Sequence, residues 1–118
     1  MAKPPPPDRS TITDAAQAAL YQAGYRVLDR DWTSDKGHQL NIVAEAPGSK
    51  ALTAVRVLTP SRADTERRAR DMAKSHIRRL RQAAVAWAAA HGRSYAVVQV
   101  DVFGLARDGH PVHVKAVR

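Results

Sequence analysis

The chain has 118 residues, 44% of them apolar, and 19 Lys and Arg against 11 Asp and Glu give it a formal net charge of +8. This length and apolar fraction predict one globular domain and exclude an intrinsically disordered chain, while the positive charge favours a polyanionic partner, nucleic acid first. The lack of cysteine excludes disulfides and thiolate chemistry. No apolar run is long enough for a membrane span or a signal peptide, so we expect a cytoplasmic protein with no membrane partner.

The N-terminal part divides into a proline-rich lead-in and a helix. Residues 1–10, MAKPPPPDRS, contain four consecutive prolines, which favour an extended polyproline conformation and cannot continue a helix or a sheet ladder. We therefore predict a disordered tail over 1–10 and a single domain over 11–118. A first helix is predicted from about Thr13 to Ala23, capped by Thr11 or Thr13, because apolar residues recur there at helical spacing and a glycine follows.

Three strands are predicted after this helix. The segment 25–32, YRVLDRDW, alternates in the manner of a strand, and 38–46 and 51–58 are two further apolar runs. The tetrapeptide PGSK at 47–50 separates these two runs, and this turn predicts that they pair as an antiparallel hairpin.

A long helix and two strands complete the predicted domain. The helix extends from about Ala63 to His91, with apolar and basic residues on separate faces. The β-branched run 94–105 predicts a central strand buried on both faces, and 111–117 predicts a short edge strand that returns after an Asp-Gly turn. The order α-β-β-β-α-β-β predicts an α/β fold in which helices flank a mixed sheet of about five strands.

Four positions in the predicted hairpin decide whether it can hold a metal ion. Residues two apart in a strand share a face, so Gln39 points with Asn41, and Arg56 points with Leu58 on the neighbouring strand. A metal-dependent nuclease needs converging carboxylates at such positions, to hold magnesium, and a lysine to orient the attacking water. Two amides, a cation and an alkyl chain supply neither, so this hairpin predicts no metal site.

Several segments of the chain resemble a known family. They are GYRVL with RDW within 24–32, GHQLNIVA at 37–44, VRVL at 55–58, RRLRQAA at 78–84 and VDV at 100–102. These segments are similar to GYRIL…RNW, GGEIDLIA, VEVK, a basic helix and RFDVV in the YraN-type family of predicted endonucleases. The resemblance extends over about 12–117, and it implies a three-layer restriction-endonuclease-like fold with a PD-(D/E)xK-type active site.

The catalytic residues that this resemblance implies are replaced in the present chain. The family has a glutamate in the first helix, the glutamate and aspartate of EID, and the glutamate and lysine of VEVK. At these positions this chain has Thr13, Gln39, Asn41, Arg56 and Leu58. We therefore predict a pseudo-nuclease without catalytic residues, metal ion or other cofactor.

Two alternatives to this prediction remain open. The first is a metal-dependent endonuclease that holds magnesium or manganese through relocated carboxylates, for which Asp35, Glu45 and Asp101 are the candidates. A buried mid-strand Asp101 also fits a structural role, paired with Arg56 or with a backbone donor. The second alternative is a protein-interaction scaffold, which would use the proline-rich tail or an exposed edge strand.

The predicted long helix carries most of the positive charge. Between Arg62 and Arg81 there are eight Arg or Lys residues and three acidic residues. Guanidinium groups match phosphate oxygens, so this pattern predicts nucleic-acid binding, with DNA favoured over RNA, although a solvated surface face gives the same pattern. A C2 homodimer would let two such faces bracket one duplex. The predicted phosphate contacts are Arg56, Arg67, Arg70, Lys74, Arg78 and Arg81.

Overall fold

The helices and strands follow one another in the predicted order, except that two helices replace the predicted long one. The computed structural model describes residues 8–118, so most of the predicted tail, 1–7, lies outside the described residues. The helices are α1, Arg9–Gln22, α2, Thr65–Arg70, and α3, Lys74–Ala90. The strands are β1, Arg26–Thr33, β2, Gln39–Glu45, β3, Leu52–Val57, β4, Val98–Leu105, and β5, Pro111–Val114.

A five-stranded sheet in the order β1-β2-β3-β4-β5 separates the helices into two layers. Strands β3 and β4 are parallel and joined by α2 and α3, whereas all other neighbours are antiparallel. Helix α1 packs on the opposite face. The predicted α/β fold with a mixed sheet and flanking helices is therefore confirmed, and it is consistent with a restriction-endonuclease-like fold. Strand β5 lies at an edge, as predicted, and β4 lies between β3 and β5.

Each face of the sheet buries its own apolar cluster. On one face Leu20 of α1 packs in a cluster with Ile42 and Phe103 of the sheet. On the other face Trp87 of α3 packs in a cluster with Val102 and neighbouring residues of β2 and β3. None of the helices in the described part of the chain has the length and hydrophobicity that a bilayer crossing requires.

Helix α1 begins earlier than its sequence pattern predicts. Asp8 is the N-cap, and its Oδ1 accepts a hydrogen bond of 2.9 Å from the backbone N–H of Thr11. The predicted caps Thr11 and Thr13 both lie inside the helix, and Thr13 Oγ1 donates to the Arg9 carbonyl at 2.7 Å. The reason is that an aspartate accepts the free N–H groups of a first turn at least as well as a threonine does. The residues at 8–10 of the predicted tail thus form the cap and first turn.

The predicted long helix is interrupted between α2 and α3. Asp64 caps α2, accepting a hydrogen bond of 2.7 Å from the Arg67 N–H, and α3 starts after Ala73, whose backbone is extended. The interruption exposes Ala73 and packs Met72 against the core, whereas an unbroken helix would have placed Ala73 on the apolar stripe. Tertiary packing of the larger side chain overrides the helix propensity of the segment.

Gly104 marks the closest approach between β4 and α2. A Cβ atom added at Gly104 would lie 2.5 Å from Thr65 Oγ1. We expect Gly104→Ala to lower the free energy of unfolding by about 1–3 kcal/mol, as overpacking does, and urea denaturation measures this change. In a Thr65→Ala background, which lacks the hydroxyl, the same substitution should cost less. An equal cost in both backgrounds would contradict the clash.

Candidate nucleic-acid interface

A cavity of about 200 Å³ opens between the start of β2, the end of β3 and the first turns of α3. Arg56, the penultimate residue of β3, lies half-buried at this cavity. Arg56 pairs in register with Val102 of the α3-side cluster, and residues in register point to the same face, so its side chain lies on the α3 side of the sheet. The side chains of Gln39, His76 and Arg79 also line this cavity, which we call the Arg56 cavity.

The Arg56 cavity is strongly positive. Burial lowers the pKa of the Arg56 guanidinium, and the nearby charges of Arg9 and Arg68 lower this pKa further. Within residues 8–118 Arg56 forms no ion pair with a carboxylate. Arginine nevertheless stays protonated in proteins, so the cavity holds a partly desolvated cation among other cations.

The same positive charges affect the pKa of His76. Burial lowers the pKa of the His76 imidazole, and the charges of Arg56 and then Arg79 lower this pKa further. His76 lies in the first turn of α3, whose N-cap, Ala73, makes no side-chain hydrogen bond to that turn. The positive end of the α3 dipole therefore adds to the arginine charges at this wall of the cavity.

The other positions at which the resemblance implies catalytic groups have local structural contacts. Asn41 Oδ1 accepts a hydrogen bond of 2.8 Å from the Val57 N–H, which extends the β2–β3 ladder by one step. Leu58 is buried in the α3-side cluster, and Thr13 is buried on α1. Gln39 is exposed at the rim of the Arg56 cavity.

These side chains do not fit a divalent metal ion. A hard cation such as magnesium takes oxygen ligands and favours carboxylates, but Asn41 offers a neutral amide oxygen and Leu58 offers none. Arg56 would repel the ion. In residues 8–118 no three His, Asp or Glu side chains come together in a group that could ligate a metal.

The candidate relocated carboxylates lie far apart. Asp35 is exposed in the turn between β1 and β2. Glu45 is at the opposite end of β2 from Gln39, where its Oε2 accepts a hydrogen bond of 2.7 Å from the Tyr95 hydroxyl. Asp101 pairs in register with Val55 and therefore points to the α1 face, away from Arg56.

Asp101 is fully buried and accepts four hydrogen bonds. Oδ2 lies 2.9 Å from the Tyr25 hydroxyl and 2.7 Å from His113 Nε2. Oδ1 accepts from the Ala116 backbone N–H at 2.9 Å and from Gln99 Nε2 at 3.2 Å. The predicted backbone donor is confirmed, but the predicted pairing with Arg56 is wrong, because alternate strand residues face opposite sides of the sheet. Burial, followed by the Asp101 charge, raises the pKa of Tyr25.

The predicted basic face divides into separate surfaces. Lys74, Arg78 and Arg81 line one open depression of about 320 Å³ on α3 together with Arg118, and we call this the outer basic face. Arg56 lies in a different cavity, so the structure does not bring it together with these three residues.

The two remaining predicted contacts, Arg67 and Arg70, lie on α2, beyond the break that precedes α3. Arg67 Nε lies 3.6 Å from Asp71 Oδ2, an exposed ion pair within one helical turn. Arg79 was absent from the predicted contacts because it does not follow the spacing of three or four that joins Lys74, Arg78 and Arg81. Only the position of α3 above β3 reveals that Arg79 lies with Arg56.

Comparisons with known proteins identify the family of this chain. The family model described as "Uncharacterised protein family UPF0102" matches residues 13–105. The chain belongs to the UPF0102 family. A UPF0102 protein of Mycobacterium sp. (strain KMS) is 34% identical over 92 residues, which cover 78% of this chain and 67% of that protein. Another UPF0102 protein, of Mycolicibacterium smegmatis (strain ATCC 700084 / mc(2)155), is 31% identical over 108 residues, covering 88% of this chain and 86% of that protein.

Membership of UPF0102 confirms the resemblance to the YraN-type family. The segment that matches the UPF0102 model contains every residue that lines the Arg56 cavity. It also contains Asp101, whereas Arg9 and the Asp101 partner His113 lie outside it. The candidate site of this UPF0102 protein is thus built within the part of the chain that defines the family.

Proposed function

We propose that this UPF0102 protein is a non-catalytic nucleic-acid-binding protein that holds DNA through the Arg56 cavity and the outer basic face. The observation that carries this proposal is the half-buried Arg56, which has cationic neighbours and no ion-paired carboxylate within residues 8–118. Placing a partly desolvated cation beside other cations is unfavourable. A phosphate group in the cavity would offset this cost through charge-assisted hydrogen bonds.

The outer basic face supports the proposal independently. Lys74, Arg78 and Arg81 are exposed, and none of them forms an ion pair within the described residues. Exposed cations of this kind contact phosphates without reading the base sequence. Binding should therefore be sensitive to salt and only weakly specific for sequence. We propose DNA ahead of RNA because the fold resembles that of restriction endonucleases.

The proposal that the protein is a pseudo-nuclease rests on the side chains at the five replaced positions. Among them Asn41 is bonded to the backbone of β3, Leu58 is buried in the core, and Arg56 is a cation where the resemblance implies a carboxylate. In-line hydrolysis of a phosphodiester in such enzymes depends on metal ions that stabilise the attacking and leaving oxygens. We propose that Arg56 contacts phosphate in place of that metal and that the strands stay uncut.

A binding titration with a parallel cleavage assay tests both parts of this proposal. Labelled duplex, single-stranded and branched DNA, and an RNA duplex, are titrated by fluorescence anisotropy with chelator and then with magnesium or manganese. The same samples are afterwards run on denaturing gels. We expect binding that does not require metal, and intact strands in both conditions. Strands cut only with metal would contradict the pseudo-nuclease, and no binding to any probe would contradict the whole proposal.

A further inference from the structure

We propose that the Arg56 cavity binds the terminal phosphate of a nucleic-acid strand, a phosphate monoester, rather than an internal phosphodiester. This inference rests on the proposed function, since it assigns one of the two basic surfaces to strand ends. The outer basic face would then contact internal phosphates of the same molecule.

The shape of the cavity favours a strand end. With a volume of about 200 Å³, the cavity has room for a phosphate group, and Arg56 is half-buried in it. A ligand must project into the cavity to reach Arg56. An internal phosphate is tethered on both sides and remains at the surface of a duplex, where the exposed Arg78 and Arg81 can meet it. A terminal phosphate is tethered on one side only and is free to enter.

The charge of the cavity favours a dianion. A phosphate monoester carries a charge of about −1.5 to −2 at pH 7, whereas an internal phosphodiester carries a single negative charge. Arg56 and Arg79 line the cavity, and Arg9 and Arg68 lie close enough to lower the pKa of Arg56. Arg68 Nη1 donates to the Thr59 carbonyl at 2.6 Å, and within residues 8–118 Arg68 forms no ion pair with an acidic side chain. The second negative charge of a monoester would be stabilised by this excess of cations.

The His76 imidazole adds a further hydrogen-bonding group at the same wall. His76 lies in the first turn of α3, where its backbone N–H donates to the Ala73 carbonyl at 2.9 Å. His76 lines the cavity from this turn. A bound dianion would favour the protonated imidazole of His76 by opposing the field of the arginines. Binding of a terminal phosphate therefore engages an imidazole and two guanidinium groups.

Three duplexes of one sequence test this inference. Each carries an internal label, and they differ only in having 5′-phosphate, 3′-phosphate or hydroxyl ends. We measure their binding to the full-length protein by anisotropy, with chelator present. We expect one phosphorylated duplex to bind at least about tenfold more tightly than the hydroxyl duplex, the size of one additional charge-assisted contact. The tighter of the two phosphorylated duplexes identifies which strand end enters the cavity.

Matched variants show which side chains cause the preference for a phosphorylated end. Arg56→Gln should abolish the preference for the phosphorylated end, and the exposed Arg79→Gln, which is not expected to disturb folding, should reduce it. Arg78→Gln on the outer basic face should weaken binding to all three duplexes and leave the preference intact. Equal binding of phosphorylated and hydroxyl ends would overturn this inference while leaving the proposed function standing. Failure of all three duplexes to bind would overturn both.

Discussion

Asp101→Ala is expected to lower the free energy of unfolding by about 3–5 kcal/mol, because it leaves several buried donors without an acceptor and each unsatisfied donor costs about 1–3 kcal/mol. The fully buried Asp101 carboxylate accepts four hydrogen bonds, three of which link β4 to Tyr25 just before β1, to β5 and to the C-terminal segment. Without it, the Tyr25 hydroxyl and the Ala116 N–H lose their acceptor inside the protein, and unsatisfied buried donors are costly. Urea denaturation followed by tryptophan fluorescence measures the change.

Two further variants test whether the loss of stability comes from the hydrogen bonds of Asp101 or simply from the removal of a negative charge. Asp35→Ala removes the same charge from an exposed turn and should change stability little. Asp101→Asn keeps an acceptor for the Ala116 N–H and should lie between the two alanine variants. A loss of stability for Asp101→Ala no larger than that for Asp35→Ala would contradict the structural role of the network.

The double variant Arg56→Gln/Arg79→Gln is expected to weaken binding of DNA with phosphorylated ends by at least about a hundredfold. Hydrogen bonds to charged groups contribute about 1.5–3 kcal/mol each, and about 1.4 kcal/mol corresponds to a factor of ten in affinity. Both side chains line the Arg56 cavity, so the two contacts are lost together. Anisotropy at one fixed salt concentration, with chelator present, measures the change in dissociation constant.

A control variant with the same loss of net charge shows whether the location of the two cations in the Arg56 cavity determines DNA binding. Arg26→Gln/Lys50→Gln removes two exposed cations near the far end of the hairpin, since Arg26 pairs in register with Glu45 and Lys50 lies in the turn after β2. We expect this variant to bind DNA with nearly the wild-type affinity. Equal weakening by the two double variants would mean that net charge alone, rather than the Arg56 cavity, governs binding.

The strands were predictable from the sequence, whereas some helix boundaries were not. The two apolar runs and the PGSK turn correctly predicted the β2–β3 hairpin, because such patterns reflect local geometry. The start of α1 was missed because the proline run next to Asp8 hid a suitable cap. The break before α3 was missed because it depends on how Met72 packs against the sheet, and no local pattern encodes that contact.

The candidate site was only partly predictable because it is formed by residues that are distant from one another in the sequence. Arg56 was predicted because it stands at a hairpin position where the resemblance implies a carboxylate, and the structure places it in a cavity. Its neighbours Arg79 and Arg9 come from two helices in different layers, and only tertiary structure brings them close to Arg56. Likewise, Tyr25 lies 76 residues from Asp101 in the chain, too far for a sequence pattern to connect them.

The salt dependence of duplex DNA binding tests the proposed phosphate contacts most directly. The logarithm of the binding constant falls linearly with the logarithm of salt concentration, with a slope of about −0.9 for each phosphate neutralised on duplex DNA. On duplex DNA with phosphorylated ends we predict a steep slope for the wild type and a slope shallower by about 0.9 for Arg56→Gln/Arg79→Gln, which loses the one phosphate held in the Arg56 cavity. A binding constant independent of salt, or identical slopes for the two proteins, would contradict phosphate binding in the Arg56 cavity.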